Sequence, residues 1–166
     1  MKMSMTLGAI LLVLVIIFSV VWWYDLKVGC TDYLKLAGDA PTITKADEFL
    51  GKALEYMDRK NLKQGNSAVL FQTPSSDIGI WYEQIRGAKR TLQRILLKDN
   101  QDSISQLERD NALMKVREVV LDSGSDGTEV TTPSKLAWYP QQQIIALWWL
   151  VAIACIVIPV IIAALE

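Results

Sequence analysis

The 166-residue chain contains no histidine. That removes the commonest general base and the commonest metal ligand. Serine and cysteine triads that depend on histidine are excluded, as are histidine-ligated haem and most zinc sites. There is no phosphate-binding GxxxxGK[ST] loop and no G-x-G-x-x-G. "DSGSDG" (122–127) puts aspartates at the first and fifth positions of a calcium loop, but Pro133 stands at the twelfth, where a bidentate glutamate is needed. It reads as a turn. No cofactor, metal site or catalytic residue is expected.

Cysteine is scarce: there are two, and Cys155 lies within an apolar run while Cys30 lies outside, so no intrachain disulfide is expected. "KVGC" (27–30) has the outline of a lipoprotein cleavage box, but Lys27 replaces the aliphatic residue such a box requires. A lipidated Cys30 is therefore a remote alternative. The formal net charge is −1. A balance so near neutral argues against a nucleic-acid partner and against polybasic docking on anionic lipid.

Charge is missing altogether in two places. Residues 7–24 form an uncharged run of eighteen, and 141–165 one of twenty-five. A hydrocarbon core about 30 Å thick needs about 20 helical residues, so both runs are expected to span a membrane. The first run is longer than a signal peptide's apolar stretch, and Trp22-Trp23-Tyr24 is a poor approach to signal peptidase. It reads as an uncleaved signal anchor.

Four of the six tryptophans come in adjacent pairs at the edges of these runs. Tryptophan and tyrosine favour the membrane–water boundary, where the ring stays in lipid and the polar edge reaches water. Trp22, Trp23, Tyr24, Trp138, Tyr139, Trp148 and Trp149 therefore read as one interfacial belt on the side of the central segment. Lys2, with no acid before Leu7, favours cytoplasmic termini and an extracytoplasmic central domain in a bacterial inner (plasma) membrane.

Beyond the belt, Leu26, Cys30, Tyr33, Leu34 and Ala37 keep helical spacing, so the first span is expected to continue to about residue 37. Thr44-Lys45-Ala46-Asp47 reads as a capping box for an amphipathic helix over about 45–62, with Ala46, Phe49, Leu50, Ala53, Leu54 and Met57 as its stripe and Gly65 as the stop. "NSAVLFQTPSSD" (66–77) lacks helical period and reads as an extended segment packed on the bundle, with Ser76 or Asp77 capping the next helix. That helix carries an a/d seam of Ile78, Trp81, Ile85, Ala88, Leu92 and Ile95. The following one, about 103–122, is expected to face it with Ile104, Leu107, Met114 and Leu121, widened by Leu113, Val116 and Val120. A short turn makes the two an antiparallel hairpin.

The expected fold is all-α: two transmembrane helices flank a small extramembrane bundle, made of an antiparallel hairpin plus one amphipathic helix. The segments are a head over 1–6, transmembrane helices over 7–24 and 141–165, the helical domain over 42–121 and a linker over 122–140. Three surfaces are candidates for function. The first is the belt. The second is a small-residue face on the later span, Ala152, Cys155, Pro159 and Ala163, which lets another helix approach closely. The third is a basic strip with two aromatics, Trp81, Tyr82, Arg86, Lys89, Arg90 and Arg94, as a docking surface or, alternatively, a core anchor beside a solvated face paired with the next helix's acids.

Neither apolar run holds an acidic or basic side chain, which argues against a pump or transporter acting alone. The expected role is a non-catalytic accessory, assembly or scaffolding subunit of a larger membrane complex or homo-oligomer. Its partners are the lipid bilayer and other integral membrane subunits or copies of itself. A pore former and a membrane-anchored sensor are the alternatives.

Overall fold

A computed structural model of the chain describes residues 2–99, 105–124 and 127–165, with side chains omitted at 2–5, 7, 99, 123, 124, 127, 128, 159, 160 and 162–165. The molecule is mostly helical. Helix α1 (Lys2–Leu26), a π turn (Lys27–Thr31) and α2 (Asp32–Gly38) follow one another without a break. Together they form one rod, about 55 Å long at 1.5 Å per residue. By length and composition one helix, Gly8–Gly38 near the amino end, is apolar enough to cross a membrane. Helix α6 (Gln142–Leu165) registers as a shorter apolar helix, Gln142–Ile158.

The rod changes character along its length. Below Asp25 its apolar side chains are exposed on most sides, as Ile10, Val13, Ile17, Phe18 and Val21 are. Above Asp25 one face, with Leu26, Cys30, Leu34 and Ala37, is buried in the core, while Val28 and Leu36 stay exposed. Burial of Cys30 within a continuous helix speaks against lipidation there.

Around the upper rod pack α3 (Ile43–Arg59), α4 (Ile78–Asp99) and α5 (Gln106–Val120). Helix α3 is capped two residues before its expected box. Thr42 is the actual cap, accepting from the Lys45 N–H at 3.3 Å. It also stops earlier, because Asn61 adopts a left-handed conformation that lets the Leu62 N–H close on Met57 C=O, a stop expected of Gly65. Asp77 caps α4 through the Ile80 N–H.

All six α4 seam residues are buried. Helices α4 and α5 run antiparallel: Lys98 meets Glu108 at the turn end, while Gln84 and Val119 line one cavity farther along. The α5 face differs from expectation. Val116, Val120 and Leu121 are buried as expected and Ala112 joins them, whereas Leu107 and Met114 are exposed. The small Ala112 permits close approach to α4, and the larger side chains turn outward. Ile104 lies outside the described residues.

Two further corrections concern loops. The linker holds a two-stranded antiparallel sheet, β1 (Leu121–Gly124) and β2 (Gly127–Val130), with Leu121 opposite Val130. The fold is therefore not purely α. And the 66–77 segment does not pack on the bundle through its apolar centre, since Leu70 and Phe71 are exposed.

One close approach fixes α3 on the rod. Gly29, inside the π turn, lies under the Tyr56 ring, and a Cβ there would overlap ring carbons. The Tyr56 hydroxyl donates to Asp25 Oδ2 at 2.9 Å, and Lys60 Nζ pairs with the same oxygen at 2.7 Å. Burial, then the Asp25 carboxylate, raises the Tyr56 pKa above its ordinary value, so the phenol stays a neutral donor.

Leu92→Ala leaves a cavity in the seam and should cost about 2–5 kcal/mol in thermal or denaturant unfolding of the detergent-solubilised chain. Arg90→Ala, on the exposed face, should cost under about 1 kcal/mol. Equal losses at both positions would refute the seam.

Candidate functional site

Helices α1 and α6 lie antiparallel. At one end, a Cβ built on Gly8 would sit 2.9 Å from Cys155 Cβ and 3.4 Å from Ala152 O. At the other, Val15, Phe18, Ser19 and Trp22 face Gln141, Ile144, Ile145 and Trp148 around a cavity of about 310 Å³. The small-residue face thus has a neighbour within the same chain: Ala152 is fully buried and Cys155 half-buried against Gly8. Between apolar helices such small contacts permit close van der Waals packing, which is what remains when the surroundings are as apolar as the side chains. The side chains of Pro159 and Ala163 lie outside the described ones.

The aromatic residues gather where α1 ends and α6 begins. Trp23, Tyr24 and Trp148 are exposed, while Trp22, Trp138, Tyr139 and Trp149 are half-buried. Tyr139 differs in role from the others. Its hydroxyl donates to Gln64 C=O at 2.9 Å and its ring lies against Gly65, so it ties the return segment to the loop after α3. Lys27 extends its ammonium over the Trp23 ring at 5.3 Å from the centroid.

Beside this cluster, an open cleft of about 580 Å³ separates the rod from the returning chain at 129–138. Lys27, Lys35 and Lys135 line it, with Asp32 and Glu129 among them and Trp23 and Trp138 at its walls. Among the described residues, no group of three or more Cys, Asp or Glu side chains is placed to hold a metal ion. The cleft offers cations beside aromatic rings.

The basic strip is only partly a surface. Trp81 and Tyr82 are buried core anchors rather than exposed recognition residues: the indole N–H donates to Thr131 C=O at 2.7 Å and the phenol to Asp58 at 2.9 Å. Burial, then Asp58, raises the Tyr82 pKa. Lys89 reaches across to α3, donating to Asp47 O and Oδ1, both at 2.9 Å. Arg86 pairs with Glu83 at 3.1 Å on its own helix, and Arg90 lies 3.9 Å from that glutamate. Arg86, Arg90 and Arg94 remain exposed. Among the described residues Lys98 meets Glu108 of α5, whereas Arg86 and Arg90 lie beside Glu83 of their own helix and Lys89 beside Asp47 of α3.

The Asp25–Tyr56–Lys60 group was not read from the sequence. Asp25 is the first charge after the apolar run, and a glycine four residues on marks a close approach. Nothing in the sequence nominates Tyr56 as its partner.

Comparison with protein-family models, curated proteins and solved structures found no match.

Gly8→Cys should form an intramolecular disulfide with native Cys155 under mild oxidation once the two helices part by a fraction of an ångström, because a typical bridge needs Cβ atoms about 3.5–4.5 Å apart and a Cβ on Gly8 would stand 2.9 Å from that of Cys155. Ile10→Cys, on an exposed face of α1, should not. A shift in mobility on non-reducing gels checks it. Cross-linked dimers without the intramolecular product would assign this face to a second copy.

Proposed function

We propose that the chain is a two-pass integral membrane protein with cytoplasmic termini and an extracytoplasmic domain, serving as a non-catalytic accessory, assembly or scaffolding subunit. Its larger assembly is a membrane complex or a homo-oligomer. The observation that carries this reading is the uninterrupted rod, which makes the uncharged run at 7–24 and the core of the helical domain parts of one body. A domain seated on its anchor through Tyr56 and Gly29 holds a fixed attitude to the bilayer, which suits a part that positions others.

Several features support the rest. The second uncharged run, 141–165, returns alongside the first and packs on it through Gly8 and Ala152. Because Ala152 and Cys155 of that face are engaged within the chain, partners are sought elsewhere. The exposed arginines of α4 and the outward Leu107 and Met114 of α5 are available for contact. No histidine is present, and the described residues hold no metal-binding cluster.

Mild detergent extraction of the tagged chain followed by purification tests the proposal. Stoichiometric co-purification of foreign membrane subunits, or a defined homo-oligomer, is the expected result, and a monodisperse monomer would overturn it. In the same cells, protease added to spheroplasts should reach the 121–130 hairpin; protection until lysis would reverse the orientation.

A further inference from the structure

Leu70 and Phe71 are 82% and 84% exposed, more than any other large apolar side chain described, including those of the apolar helices α1 and α6. They sit at the tip of the loop between α3 and α4. Residues 64–76 contain no charged side chain. A free, water-facing loop seldom carries Val-Leu-Phe at its crest without a use for it.

The neck of this loop is well tied. Asn66 pairs with Asp77 in an isolated bridge, and the Ser67 N–H donates to Ser76 C=O at 2.9 Å. Ser76 Oγ donates to Asn66 Oδ1 at 2.8 Å and accepts from the Thr73 N–H at 3.0 Å. The tip is thus presented on a hydrogen-bonded stem.

The stem's location identifies what the tip meets. Ser67 Oγ donates to Ser134 C=O at 2.6 Å, Tyr139 to Gln64 C=O at 2.9 Å, and Gln142 Nε2 to Asn66 C=O at 3.0 Å. Gln142 is the first residue of α6. Helix α3 reaches the same end of the domain, since Tyr56 and Lys60 both contact Asp25, the first charge after the uncharged run. Exposed Trp148 lies six residues into α6, about 9 Å along its axis. Phe71 is five residues from Asn66, a reach of up to about 17 Å. From this stem the tip is within reach of the layer that holds the tryptophans.

We infer that Val69-Leu70-Phe71 is a third membrane contact, a hydrophobic tip inserted into the interfacial region of the bilayer beside the aromatic cluster. The inference rests on the membrane reading proposed above. Its chemistry is that of shallow interfacial anchors, with apolar side chains at the headgroup–acyl boundary and a polar, uncharged stem in the headgroups. A third contact beside two spans restrains the domain's tilt as well as its height.

The full-length chain, with Cys30→Ala and Cys155→Ala, is reconstituted in phosphatidylcholine–phosphatidylglycerol vesicles. Single cysteines at Phe71, Phe18 or Leu97 carry an environment-sensitive fluorophore, and lipids with nitroxides at shallow or deep positions act as quenchers. Phe18 lies on α1, and Leu97 lies near the far end of α4. The F71C label should be quenched several-fold more by shallow nitroxides than the L97C label, and shielded from aqueous iodide. The F18C label should be quenched by deep nitroxides. If F71C behaves like L97C while F18C is quenched, the inference fails and the membrane reading stands. If F18C is also unquenched, the membrane reading itself fails. Circular dichroism of each variant, expected to match the parent because all three positions are exposed, confirms the fold.

Discussion

One helix has to satisfy two surroundings. From Gly8 to Tyr24 the rod shows apolar side chains on most sides, and by length and composition it is apolar enough to cross a membrane. From Asp25 to Gly38 it must bury one face and solvate the other. The change falls within a single turn, at Asp25, and the chain marks it with Trp22, Trp23 and Tyr24 on one side and Lys27 on the other. The π turn sits just above this point. Such bulges re-aim the side chains that follow them and collect at functional places in helices. Here the bulge contains Gly29, whose missing side chain admits the Tyr56 ring, and Tyr56 in turn reaches down to Asp25. Much of the domain's attitude follows from that seating, because α3 carries Tyr56 and α4 packs on α3.

Trp81, Tyr82 and Lys89 are committed to internal partners, as are Ala152 and Gly8. What faces outward is a cluster of arginines on α4, two large apolar side chains on α5, an apolar loop tip and a cleft of lysines beside tryptophans.

Much of the helical framework was legible because its signals were redundant. The α4 seam repeats at steps of 3 and 4 over six residues, and each of them is buried. Leu26, Cys30, Leu34 and Ala37 follow the same rule on the rod. Helix α5 misled because both its faces are apolar: size favours Leu107 and Met114, but the packing against α4 selects Ala112 with Val116 and Val120. The β-hairpin was missed because its strands are rich in Asp, Ser, Gly and Thr, poor strand formers as a group apart from threonine. The Asp126-Gly127 dipeptide between Leu121 and Val130 was the available signal. For the 66–77 loop, apolar content was taken as burial, whereas its most apolar residues are the most exposed. Long-range pairs such as Tyr56 with Asp25 join residues 31 apart, and no local pattern announces them.

The uncharged run at 7–24 and the domain core share one unbroken helix. Paired spin labels at Phe18→Cys and Leu36→Cys, with the native cysteines replaced by alanine, measure it directly in lipid nanodiscs. Eighteen residues of continuous helix place the two backbones about 27 Å apart. The account predicts a single narrow distance distribution near that value, allowing for the label arms. A broad or bimodal distribution would mean that the rod breaks near Asp25 and that the domain moves independently of its anchor.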